Sequence, residues 1–237
     1  MRRLDRQEYN QLMNFLETKL RILFDHENKE RKGKGESPKE YFHATFPFKE
    51  CLCFPNDDIT IYRVYSPFFL TIIREYYPLA LKTYPECFET GNANDIIKAL
   101  TLVMPSYGPN HDNEDIERIL SYDTSCFCII KQNNCFNEIL RIDLFRFIRG
   151  GNFVGGLFHT LKHFSMDGKN LSVGNDSNEV FDIEHVISKI QTAFINYIRT
   201  NSNIIELDNR HVYKSEFYKE PESGIYFLKT LFKQKRN

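Results

Sequence analysis

Ser125-Cys126-Phe127-Cys128-Ile129-Ile130-Lys131-Gln132-Asn133-Asn134-Cys135-Phe136-Asn137-Glu138-Ile139-Leu140-Arg141-Ile142-Asp143 is the stretch on which the fold class turns. Residues 125–131 and 135–147 read as the two arms of a hairpin. The turn is Lys131-Gln132-Asn133-Asn134, and asparagine tolerates the positive φ that tight turns ask for. On the N-terminal side, residues 5–26 carry Leu12, Phe15, Leu16, Leu20 and Leu23 at spacings of three and four, the mark of an amphipathic helix. Residues 29–40 are charged and broken by Gly33, Gly35 and Pro38, which predicts an exposed linker. Residues 59–65 predict a strand, and Pro67 opens a helix bearing Phe68, Ile72, Ile73, Tyr76 and Tyr77 that Pro78 ends or kinks. A helix over 93–103, a polar loop over 105–115 and a short helix near 114–121 complete this side.

Beyond the hairpin, residues 152–164 predict a helix and 165–179 a Gly/Asp/Asn/Ser-rich loop. Asp182 caps a second helix running to about Thr200. Residues 204–207, 211–219 and 225–233 predict strands, the last two joined by Glu220-Pro221-Glu222-Ser223-Gly224. The expectation is therefore an α+β protein. It has a helical N-terminal part with a β-hairpin over residues 1–149. Two helices and a three-stranded antiparallel sheet follow over 150–237.

The bulk numbers limit the function classes. The chain has 237 residues, of which 41% are hydrophobic and 27% charged, an ordinary globular balance. The longest apolar runs, such as Phe68 to Ile73, are far short of the ~20 residues a membrane span needs. Met1-Arg2-Arg3-Leu4-Asp5-Arg6 is not followed by an apolar region, so no secretory signal is read and a cytoplasmic protein without membrane contact is expected. The net charge of −1 gives no basic footprint for nucleic acid over the whole chain. Of the six cysteines, Cys51 with Cys53 and Cys126 with Cys128 are spaced by one residue in strand-like stretches. That spacing is tighter than zinc sites use and predicts core cysteines on one strand face.

Gly150-Gly151-Asn152-Phe153-Val154-Gly155-Gly156-Leu157-Phe158-His159-Thr160-Leu161-Lys162-His163-Phe164 is the candidate site. As one helix, it gathers Phe153, Leu157, Leu161 and Phe164 on a packing face and Gly155, Gly156, His159, Lys162 and His163 on the other. Glycines on a helix surface are unfavourable and are expected where something approaches the backbone closely. His159 and His163, at i and i+4, are neighbours. Two imidazoles suit general acid–base work, since at neutral pH one accepts a proton while the other donates it. Lys162 beside them suits an anion such as phosphate. A polar surface face with two ordinary histidines is the plain alternative.

The last eighty or so residues resemble the barnase–EndoU–colicin–RelE-like ribonucleases. The resemblance lies in His159-x-x-Lys162-His163, the helix over 182–199 and the closing strand Tyr226-Phe227-Leu228-Lys229-Thr230. It implies metal-independent, toxin-type cleavage of RNA, with His159, His163 and Thr230 catalytic and no cofactor. Lys162, Arg210, His211 and Lys229 would bind the substrate, and a neutralising protein would be a possible partner. Along the strand Thr230 shares a side with Leu228 and Phe232, which predicts that it is buried. Residues 150–237 hold eleven Lys/Arg against ten Asp/Glu, less basic than such an enzyme usually is. Two other readings stand beside it. One is a non-enzymatic interaction or regulatory module of a bacterial or phage system. The other is a metal-dependent hydrolase using both histidines with Asp167 or Asp176.

Overall fold

The computed structural model describes residues 4–37, 50–56, 58–89, 93–104, 125–144, 146–147, 153–163, 183–206 and 211–235. The expected loop at 105–115, the short helix at 114–121, the loop at 165–179, Asp182 and Arg210 lie outside them. Helices and one seven-stranded sheet share the chain, so the class is α+β. The chain forms two compact units. One comprises residues 1–67, 125–142 and 218–227, the other 68–124, 143–217 and 228–237. Each draws on residues from both sides of position 150.

In the first unit, helix α1 (Arg6–Gly33) opens on Asp5, whose carboxylate accepts the Glu8 amide at 2.8 Å. It runs seven residues past the predicted end at 26 because Glu27 to Lys32 are mostly good helix formers. The expected linker thus begins only at Lys34. Gly35, at φ 74°, turns the chain, and the Glu36 amide reaches back to the Arg31 carbonyl. Against α1 lie β1 (Glu50–Asn56), β2 (Ile59–Tyr65), β3 (Ser125–Gln132) and β4 (Cys135–Asp143). The β3–β4 turn is Asn133-Asn134, at φ 51° and 61°, the pair of positive values that a two-residue hairpin loop requires. β4 ends at Asp143, short of the predicted 147.

Register decides what each cysteine pair does. Cys53 sits opposite Tyr62 and Cys51 opposite Val64, on the face that meets Leu12, Leu16 and Leu23 of α1. Cys128 sits opposite Arg63 and Cys126 opposite Tyr65, on the reverse face. Arg63 is buried, within 3.2 Å of the Tyr65 hydroxyl and 5.0 Å from the Phe54 ring centre. Burial works against its charge, but Cys128, Tyr65 and Cys126 outweigh that and keep it protonated. A hydrogen bond with Cys126 lowers the Cys128 thiol against the opposing pull of burial, and Arg63 adds to the lowering. No two of the six cysteines are joined by a disulfide.

The remaining strands are β5 (Arg146–Phe147), β6 (Phe153–Gly155), β7 (Ile204–Glu206), β8 (His211–Lys219) and β9 (Tyr226–Lys235). The main sheet has the order β1-β2-β3-β4-β9-β8-β7. The expected three-stranded terminal sheet is thus part of a larger one. β9 pairs in parallel with β4, Leu140 opposite Tyr226 and Arg141 opposite Phe227, and parallel partners distant in sequence leave no local signal.

In the second unit, α2 (Pro67–Thr71) passes through a wide π-turn (Ile72–Tyr76) into α3 (Tyr77–Thr83). Pro78 has no amide hydrogen and its ring crowds the carbonyl four residues back, so the wider turn precedes it. Short α4 (Glu86–Glu89) and α5 (Ala93–Val103) follow. Further along come α6 (Leu157–Lys162) and the long α7 (Ile183–Thr200). α7 packs Phe194 and Tyr197 on Phe217 of β8, at 5.5 Å between ring centres in both cases. Among the described residues no helix is long and apolar enough to cross a membrane.

The turn from β8 to β9 is built around the Glu220 carboxylate. It accepts the Ser223 amide and hydroxyl, each at 2.6 Å, and the Glu222 amide at 3.0 Å, and it lies 3.1 Å from His26 of α1. Burial alone would push this carboxyl up. The Ser223 and Glu222 bonds and the His26 charge outweigh it and hold the group below the ordinary glutamate range. A depressed folded-state value gives stability that is present above the unfolded value, ~4.3, and is lost as pH falls through the folded one. Glu220→Gln is therefore expected to be less stable than wild type at neutral pH, with the gap closing in acid. Urea midpoints between pH 7 and pH 3 measure it, and a gap independent of pH contradicts the assignment.

Candidate active site

The stretch around the histidines is not one helix over 152–164. Phe153 to Gly155 form β6, paired with β5 through Phe147 opposite Phe153 and Arg146 opposite Gly155. Gly156 then takes φ 105°, and α6 begins only at Leu157. The helical-wheel reading fails because Phe153-Val154 finds a strand partner and because φ near +105° breaks any right-handed helix. Gly155 and Gly156 accordingly do not share a helix face with the histidines.

The glycines do mark a close approach. A Cβ on Gly155 would stand 2.7 Å from the Lys229 carbonyl oxygen and 2.8 Å from its Cα. A Cβ on Gly156 would meet the Asp143 and Leu144 carbonyl oxygens, both at 2.9 Å. The Gly156 amide donates to the Lys229 carbonyl at 3.1 Å, and the Phe158 amide to the Leu144 carbonyl at 3.1 Å. The start of α6 therefore lies directly on the backbone of β9.

Most of α6 is interior. Leu157, Phe158, Thr160 and Leu161 are buried, and Phe158 stacks flat on Tyr77 with ring centres 5.0 Å apart. Burial pushes the Tyr77 hydroxyl well above its ordinary value, so this contact stays neutral. The half-buried side of the helix carries His159 and His163, and His163 caps its C-terminal end. Their ring centres are 5.2 Å apart with planes at 83°. His163 also meets the Phe232 ring of β9 at 5.7 Å.

The other expected site residues fall unevenly. Thr230 is buried, and among the described residues its hydroxyl oxygen has no hydrogen-bond partner. Lys229 is half-buried and presents its backbone to Gly155 and Gly156. Lys162 closes α6 and His211 opens β8, but their side chains lie outside the description, as does all of Arg210. Asp167 and Asp176 are also outside it. Among the described residues no cluster of three or more His, Cys, Asp or Glu can hold a metal ion.

Two residues at the site went unread in the sequence. Phe232 supports His163, and the Lys214 ammonium of β8 lies 6.0 Å from the centre of that same ring. Strand alternation marks Phe232 as a neighbour of Thr230, but Lys214 is set by the pairing of β8 with β9, which no local pattern reveals. No family model, curated protein or solved structure matches the chain.

The glycine contacts give a stability test. Gly155→Ala and Gly156→Ala are each expected to cost about 1–3 kcal/mol, from backbone displacement and a strained φ respectively. Gly33→Ala, where a Cβ meets nothing within 4 Å, is expected to be neutral or stabilising by roughly 0.5–1 kcal/mol. Urea unfolding of the three variants checks the order, and equal effects at all three positions would refute the close approach.

Proposed function

We propose that the protein cleaves RNA phosphodiesters without a metal, with His159 and His163 as its acid–base pair. The observation that carries the reading is the contact of the two half-buried rings, 5.2 Å apart and nearly perpendicular. On this reading the two rings serve two different oxygens of one phosphate. One imidazole removes the proton of a ribose 2′-hydroxyl, and that oxygen bonds to the adjacent phosphorus. The bond from phosphorus to the 5′-oxygen breaks, and the second imidazolium protonates the leaving oxygen. The products are a 2′,3′-cyclic phosphate and a 5′-hydroxyl. Each histidine ends in the form in which the other began.

The surroundings fit an anionic substrate. Lys214 places a cation on the Phe232 ring beside His163.

Cleavage of mixed-sequence RNA in excess EDTA tests the reading. Wild type is expected to cut, and His159→Ala and His163→Ala, each shown to be folded, are expected to lose 10²–10⁴-fold in rate. The wild-type rate is expected to pass through a maximum with pH, since one ring must be charged and the other neutral. Cleavage abolished by EDTA, or unchanged in both variants, would overturn the assignment. No cleavage of any RNA would favour a protein-binding role for this surface.

A further inference from the structure

Thr160 stands between the two histidines and points the other way. Its side chain is fully buried, and its hydroxyl oxygen accepts the Leu231 amide of β9 at 3.3 Å. Four residues earlier, the Gly156 amide donates to the Lys229 carbonyl of the same strand at 3.1 Å. The two contacts match in repeat. Four helical residues, from Gly156 to Thr160, advance about 6 Å, and two strand residues, from Lys229 to Leu231, advance about 6.6 Å. Backbone groups two residues apart leave a strand on the same edge. The helix thus takes the place of a neighbouring strand, with a backbone amide at one rung and a side-chain hydroxyl at the next.

We infer that Thr160 is the positioning residue of the histidine pair, its hydroxyl completing the edge of β9 and so setting where His159 and His163 face. The inference rests on the acid–base reading of that pair only for its catalytic consequence. The geometry stands without it. His159 precedes Thr160 directly, and His163 follows three residues later, with the His163 amide bonded to the Thr160 carbonyl at 2.9 Å. A shift at Thr160 therefore moves both rings, and it moves His163 relative to Phe232. Valine has the same shape as threonine but no acceptor, whereas serine keeps the oxygen.

The test compares wild type, Thr160→Val and Thr160→Ser in the full chain. Nuclear Overhauser contacts between the His159, His163 and Phe232 rings are read by NMR, and RNA cleavage is read alongside. Wild type and Thr160→Ser are expected to show the His163–Phe232 contact, and Thr160→Val to lose or weaken it. In cleavage, Thr160→Val is expected to lower kcat about 10–100-fold with KM little changed, and serine to restore most of the loss. Ring contacts that change with Thr160→Val in a protein that cuts no RNA uphold the positioning role and sink the ribonuclease reading. Ring contacts and kcat both unchanged in Thr160→Val overturn the positioning role. Should Thr160→Val not fold, hydrogen exchange in wild type decides: a protected Leu231 amide supports the bond, and exchange at the rate of an open edge overturns it.

Discussion

Two hydrogen bonds to the edge of β9, from the Gly156 amide and to the Thr160 hydroxyl, hold the segment that carries both histidines. Both rest on the close approach that Gly155 permits, because a Cβ there would stand 2.7 Å from the Lys229 carbonyl oxygen and force the backbone to shift. Gly156 must also take a φ of 105°, which turns the chain out of β6 and into α6. With those conditions met, the burial of Leu157, Phe158 and Leu161 leaves the histidines on the half-buried side of the helix. A net interaction of about 0.5–1.5 kcal/mol per hydrogen bond is modest for stability. In the proposed acid–base role such a bond matters more for placing the rings, since catalysis falls steeply with misplacement.

The sequence pattern was most informative where structure is local. Leu12, Leu16 and Leu23 mark the buried stripe of α1, and Asn133-Asn134 marks the hairpin turn. The apolar repeat from Ile183 to Ile198 marks α7. All three depend on residues within a few positions of one another. The extra turns of α1 were hidden because Glu, Lys and Arg are equally at home in linkers and in exposed helix. The parallel pairing of β4 with β9 was hidden because its partners, Leu140 with Tyr226 and Arg141 with Phe227, are 86 residues apart.

The candidate site was half legible for the same reason. The i, i+4 spacing of His159 and His163 survives, with the rings in contact, although α6 is shorter than the periodicity implies and His163 is its cap. The glycines were rightly singled out as a close approach, but the approaching group is the protein's own strand. The burial of Thr230 followed from its alternation with Leu228 and Phe232. Thr160 carries no signal in the sequence, because a threonine between two histidines reads as filler and its partner, the Leu231 amide, lies on a distant strand.

The central claim is that the two imidazoles move protons to and from the oxygens of one RNA phosphate. The chemical nature of the cut ends tests it most directly. ³¹P NMR of a short RNA incubated with the protein in EDTA is expected to show a 2′,3′-cyclic phosphate, and a 2′-deoxy residue at the cleavage position is expected to block the cut. A 3′-hydroxyl end with a 5′-phosphate, or cleavage that proceeds past the 2′-deoxy residue, would contradict the account.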